Sequence, residues 1–172
     1  PVKLTEKVAG KPVEKKVSKK TAAKSNPLET IMTEKMRDMQ QICGVDRVMF
    51  AMLTADRKKL VVKYMLGGDK QDALRKYQLD LSEKTLCSIM MKKPQSAHLN
   101  RSNYKKYLQL IPEHMQQSLN YKNMFAMSLF VKGKPLGMFV CDNRDNVLNT
   151  NHYNNFKKIC NQTAELLSGK KS

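Results

Sequence analysis

The 172-residue chain has no apolar run longer than a few residues; Val48 to Leu53 is typical of the longest. A membrane-crossing helix needs roughly 20 apolar residues in succession, so none is expected. The first residues alternate lysine with small side chains and form no apolar core of a secretory signal. Cysteine is sparse: Cys43, Cys87, Cys141 and Cys160 make no CxxC pair. That excludes a zinc ribbon and a disulfide scaffold and fits a reducing, cytoplasmic setting. Phosphate loops of the GxxxxGK[ST] or GxGxxG kind are missing. The histidines His98, His114 and His152 lie far apart with no second ligand at helical spacing, so neither a metal site nor a cofactor is expected. Acidic residues are few as well. Asp plus Glu is 15 against 32 Lys plus Arg, a formal charge of +17.

Part of that charge lies in residues 1–26, where eight lysines face Glu6 and Glu14. This segment has no aromatic residue and only isolated small apolar ones, too few to offset the entropy of ordering it. It reads as a basic linker or tail, and residues 27–172 as one domain.

The domain opens with a helix. Asn26 can cap it, Pro27 suits its first position, and Leu28, Ile31, Met32, Met36, Met39, Ile42 and Cys43 recur at spacings of three and four. Gly44 ends it. Residues 47–54 are apolar on both faces, as in a central strand, and 59–66 form a second strand broken by Gly67 and Gly68. Residues 81–119 are irregular, with short helices expected from Leu81 to Met91 and from Pro112 to about Leu119. Residues 124–131 and 135–142 form a hairpin around Lys132-Gly133-Lys134, with Gly137 marking close packing or a bulge. A last helix carries Tyr153, Phe156, Ile159, Cys160, Thr163, Leu166 and Leu167 on one face. The expected class is α+β: a central antiparallel sheet, the terminal helices on one face and the irregular segment on the other.

No nucleophile stands out. Cys87 has lysines nearby in sequence, but Leu86 and Ile89 argue for a buried thiol. The twelve methionines fall mostly at apolar-face positions and read as core filling rather than as a plastic binding surface. Arg101, Tyr104, Lys105, Lys106 and Tyr107 interleave basic and aromatic residues, which could grip a nucleic-acid strand. No recognition motif accompanies them, so nucleic acid is the least favoured partner.

The element order, and the stretch from Phe125 to Asp142 followed by Leu148 to Leu167, resemble a GAF domain. A narrower likeness is to the GAF-like C-terminal region of bacterial HDOD signalling proteins. It rests on Ala97 to Tyr104 with Leu110 to Pro112, on Phe125 to Gly137 and on Tyr153 to Cys160. The resemblance implies a regulatory, non-catalytic module of a bacterial signal-transduction protein, with the HDOD part lying upstream. GAF domains bind small molecules, cyclic nucleotides among them, or pair as dimerisation and relay elements. The NKFDE signature of cyclic-nucleotide GAF domains is missing here. Cys87 falls near one cysteine of the GAF-type methionine sulfoxide reductases, but their second cysteine segment is not seen.

A ligand is expected between the sheet and the 81–119 segment, on His98, Asn100, Arg101 and Tyr104. Arg101 would take an anionic group through its planar fork of donors. The second reading is a pure interaction module, a homodimer through the helices of residues 28–43 and 151–167.

Overall fold

The structure is a computed structural model that describes residues 26–70 and 72–169. The linker or tail expected over residues 1–26 lies outside the described residues except for Asn26.

Helix α1 spans Pro27–Ile42, and the Asn26 side chain accepts from the Leu28 amide as its cap. Strands β1 (Arg47–Leu53) and β2 (Lys59–Leu66) follow, then a short β3 (Gln78–Asp80). Helix α2 is Leu86–Met90, capped by Thr85, whose hydroxyl oxygen accepts from the Ser88 amide while the Ser88 hydroxyl oxygen accepts from the Thr85 amide. Strand β4 (Ser96–Leu99) and helix α3 (Glu113–Ser118) complete the middle. The chain closes with β5 (Met124–Val131), β6 (Lys134–Asp142) and α4 (Thr150–Leu167). The six strands form one antiparallel sheet in the order β3-β2-β1-β6-β5-β4. β1 and β6 therefore meet at its centre and join the two halves of the chain.

Strand alternation divides the core. Val48, Phe50, Phe125, Leu129, Phe139 and Cys141 face the helices, where Met32, Met36 and Met39 of α1 and Phe156, Ile159 and Cys160 of α4 cover them. Met49, Ala51, Met124, Ala126, Met138 and Val140 face the other way, onto α2, α3 and the loops around them. This is the α+β arrangement expected, with both terminal helices on one face. Each fully buried phenylalanine contributes roughly 1.5–3 kcal/mol through its apolar area. The apolar stripes of both terminal helices are spent against their own sheet. A pairing of two copies through these helices would use their polar outer faces.

The β5–β6 hairpin turns on Lys132 and Gly133, at φ 52° and 75°. Two successive positive angles are the type I′ turn that matches strand twist. Gly137 on β6 serves packing. A Cβ there would lie 2.2 Å from the Ala51 carbonyl oxygen and 2.8 Å from the Phe50 ring, and the β5–β6 register shifts beside it, between Leu129 and Phe130. Gly137→Ala is expected to cost about 1–3 kcal/mol by overpacking, read as a lower urea midpoint at unchanged slope. An unchanged midpoint would show that β1 yields at no cost.

The two terminal helices run antiparallel. Gly44, just beyond α1, stands against the His152 ring in the first turn of α4, and the two helices pack together from there.

Candidate functional site

Strand β4 and the turn after it carry the expected site residues. Pairing of β4 with β5 sets Ala97 and Leu99 on the α2–α3 side and His98 on the helix side. The His98 ring packs 4.9 Å from Phe125 and 5.2 Å from Tyr153, centroid to centroid. Burial holds its pKa below the ordinary imidazole value, and a backbone hydrogen bond at Leu148 pulls the other way. Its Nε2 is buried without a hydrogen-bond partner among the described residues.

The chain then turns on side-chain amides. Asn100 Oδ1 accepts from the Ser102 amide (2.9 Å) and hydroxyl (2.6 Å), and Asn103 Oδ1 accepts from the Asn100 amide at 2.9 Å. This Asx-type turn lifts Arg101 to an exposed tip. Among the described residues Arg101 has no ion pair. Tyr104 lies a short step further, its ring 5.8 Å from that of Tyr121. The Lys122 ammonium sits over both rings, 5.1 Å from Tyr104 and 5.5 Å from Tyr121.

His98, Asn100 and Arg101 line one side of a cleft of about 440 Å³. Lys122 and its neighbours Asn120 and Asn123 form a second wall, and residues 144–150, leading into α4, form the third. Tyr104 does not reach the cleft. It meets the cleft through Lys122, which it helps to hold in place.

The cleft is therefore at the end of the sheet, with residues 98–102 of the 81–119 segment as one wall, and not on the sheet face beneath the rest of that segment. There the protein's own side chains fill the space. Two voids of about 10 Å³ remain, lined by residues such as Cys87, Met115, Met138 and Val140. That is the volume of one water at most. The physical reason is the alternation along β4, which turns His98 away from that side.

An asparagine network supports the cleft from behind. Asn143 donates to the Gly44 carbonyl (2.6 Å) and accepts from the amides of Asp145 and Asn146. Asn123 donates to the carbonyls of Asn143 and Asn146 and accepts from the Leu148 amide. These bonds fix the 143–148 loop and so place Arg144 on the rim. Arg144 also pairs with Asp46, Nε to Oδ2 at 3.2 Å. Sequence reasoning passed over Lys122, Asn123, Asn143 and Arg144. The one local signal is the polar run Asp142 to Asn146 directly after an apolar strand.

Beside the cleft lies a buried ion group. Arg47 donates through Nε and Nη2 to both carboxylate oxygens of Asp142, through Nη1 to Asp72 (3.1 Å) and through Nη2 to the Ser118 carbonyl (2.8 Å). Asp142 is fully buried and also accepts from the Asn120 amide at 2.7 Å. Both oxygens of Asp142 and four of the five guanidinium protons are matched, as burial of charge demands. Its role is to tie α3 and the loop after β2 to the central strands.

The Cys87 thiol is not activated. Burial pushes the Cys87 thiol up to about 12, the opposite of an activated nucleophile. Among the described residues no cluster of three or more His, Cys, Asp or Glu is arranged to hold a metal ion, and no helix is long and apolar enough to cross a membrane.

Comparison with known proteins agrees with this architecture. The GAF domain family model matches residues 27–167. No curated protein matches the chain. Among solved structures, a methyl-accepting chemotaxis protein fragment (its residues 122 to 287) is 16% identical with a TM-score of 0.64, over 83% of this chain and 90% of that one. The GAF domain/HD domain protein from Geobacter sulfurreducens is 14% identical with a TM-score of 0.64, over 84% and 94%. A phycocyanobilin-bound GAF domain from a cyanobacterial phytochrome is 13% identical with a TM-score of 0.65, over 85% and 87%. At such identities these structures speak to the fold alone. The family match extends from the first residue of α1 to the last of α4 and takes in every strand of the sheet, so the chain belongs to the GAF domain family.

Proposed function

We propose that this chain is a non-catalytic sensory domain of a bacterial, cytoplasmic signal-transduction protein, one built like the HDOD proteins, and that its input is a small anionic ligand held at the end of the sheet. GAF domains are typically sensory or regulatory units. The observation that carries the ligand reading is the convergence of His98, Asn100 and Arg101 with Lys122 and Arg144 on one cleft of about 440 Å³, a size ordinary for small-molecule sites. Arg101 supplies the planar donors for the anion. Tyr104 acts at one remove, by holding Lys122.

A thermal-shift screen of small anions against the full chain tests this. A ligand at 100 times its dissociation constant adds about 2.7 kcal/mol, seen as a rise of several degrees. Arg101→Ala is expected to cut the rise by about half, as a tenfold loss of affinity does at this concentration, while Tyr104→Leu, which keeps bulk but removes the cation–π contact, lowers it by less. A hit unchanged by both substitutions would place the ligand elsewhere. A flat screen would remove the sensory reading of this cleft.

A further inference from the structure

We propose that the cleft takes a small hydroxyl-rich phosphate monoester, such as a sugar or polyol phosphate. This rests on the small-anion reading above and narrows it to one chemical class.

The charge is the first argument. Arg101, Lys122 and Arg144 come from three separate loops and face a cleft that holds one carboxylate, Asp145. The net of two positive charges matches a phosphate monoester dianion. Three cations approaching from three sides suit three equivalent oxygens on one phosphorus. A single carboxylate would leave one of the three cations without an oxygen. Arg101 is uncommitted among the described residues, and Arg144 is half exposed, bound on one side only by Asp46. Both guanidinium forks are therefore open to bidentate contact.

The second argument is the rest of the lining. Asn100 and Asn149 each spend the carboxamide oxygen on the protein, on Ser102 and His152 respectively. Their NH₂ groups have no protein acceptor among the described residues, and the Asn146 carboxamide has no protein partner there at all. Such amides match hydroxyls, which both donate and accept. A nucleobase would instead need a ring to stack on. Among the described residues the one aromatic ring lining the cleft, His98, is already packed against Phe125 and Tyr153. The apolar side chains are Val147, exposed at the rim, and Leu148, buried in the helix-side core, too little for a lipid or a bilin. The lining thus selects a polar body with a dianionic head.

Calorimetric titration of the full chain with ribose 5-phosphate is the test, with inorganic phosphate, free ribose and malate as comparison probes. Ribose 5-phosphate is expected to bind one to one and more tightly than inorganic phosphate. Arg101→Ala and Lys122→Ala, both at exposed positions, are each expected to weaken it about tenfold, the scale of one charge-assisted hydrogen bond. Lowering the pH from 7.5 to 5.0 protonates the monoester, whose second pKa is about 6, and is expected to weaken binding about tenfold. Protonation of His98 over the same range would act in the opposite direction, so a fall marks the phosphate. Malate binding without ribose 5-phosphate binding would overturn this inference and leave the small-anion reading standing. Equal affinity for inorganic phosphate, or binding of free ribose, would also overturn it. Silence from all four probes would bring down both readings.

Discussion

Replacing Arg47 by alanine is expected to remove about 3–5 kcal/mol of stability, a large part of what a domain of this size holds. Arg47 is 7% exposed and Asp142 is 0% exposed. Their attraction does little more than offset the cost of taking both out of water, but removing one partner leaves the other buried and unmatched. Asp142 would keep only the Asn120 amide, and Asp72 and the Ser118 carbonyl would each lose a donor. The attraction to both carboxylates, and above all the hydrogen bonds to Asp142, hold the Arg47 pKa above its ordinary value, so it stays charged at any accessible pH. Urea denaturation at pH 7 checks the single variant and the double variant Arg47→Met with Asp142→Leu. The double variant is expected to lose less than Arg47→Ala, because no charge is stranded at Asp142. Equal losses in the two would mean that packing, not charge pairing, sets the value.

At pH 10 the domain is expected to be about 5 kcal/mol less stable than at pH 7.5. All four cysteines are buried. Burial, with a smaller push from Asp38, raises the Cys43 thiol from 9.0 to about 12, and burial alone takes Cys87 to about 12. Cys141 and Cys160 are also held well above 9.0, by burial first and then by their neighbouring thiols. The folded protein therefore keeps four protons that the unfolded chain releases. Their stabilisation is fully present below the unfolded value of 9.0 and is lost as pH rises from there toward the folded values. One pH unit above 9.0, each thiol accounts for about 1.4 kcal/mol. Chemical denaturation under reducing conditions at the two pH values is the measurement. Cys87→Ala is expected to flatten the decline by about a quarter. A profile level to pH 10 would show that these thiols ionise in place.

α1, α4, β1, β2 and the β5–β6 hairpin are long enough for a period to be counted in the sequence, and the short helices α2 and α3 are marked by Pro94 and Pro112, though α2 starts at Leu86 rather than Leu81. β3 and β4 are three and four residues long. Gln78-Leu79-Asp80 and Ser96 to Leu99 carry no propensity that outweighs a loop; they are strands because β2 and β5 offer open edges. Missing β4 hid which way His98 points, and with it the side of the sheet on which the site lies. His98, Asn100 and Arg101 are neighbours in sequence, so a polar segment could mark them. Lys122 and Arg144 join them only through tertiary structure, and Arg47 meets Asp142 across 95 residues because both sit at ends of paired central strands. Nothing local in a sequence carries such a meeting.

Because α1 and α4 lie antiparallel with Gly44 and His152 at one end, the chain enters at Pro27 and leaves at Leu167 together at the opposite end. The cleft is at the Gly44 end. Sixteen helical residues separate the two ends, about 24 Å at 1.5 Å per residue. A rigid pair pivoting at its cleft end would have that length as its arm. A tilt of about 5° at the cleft end would displace both points of chain attachment by about 2 Å over that length, in the same direction and at the same time. Any segment joined at either end would feel such a tilt as a movement of its own anchor.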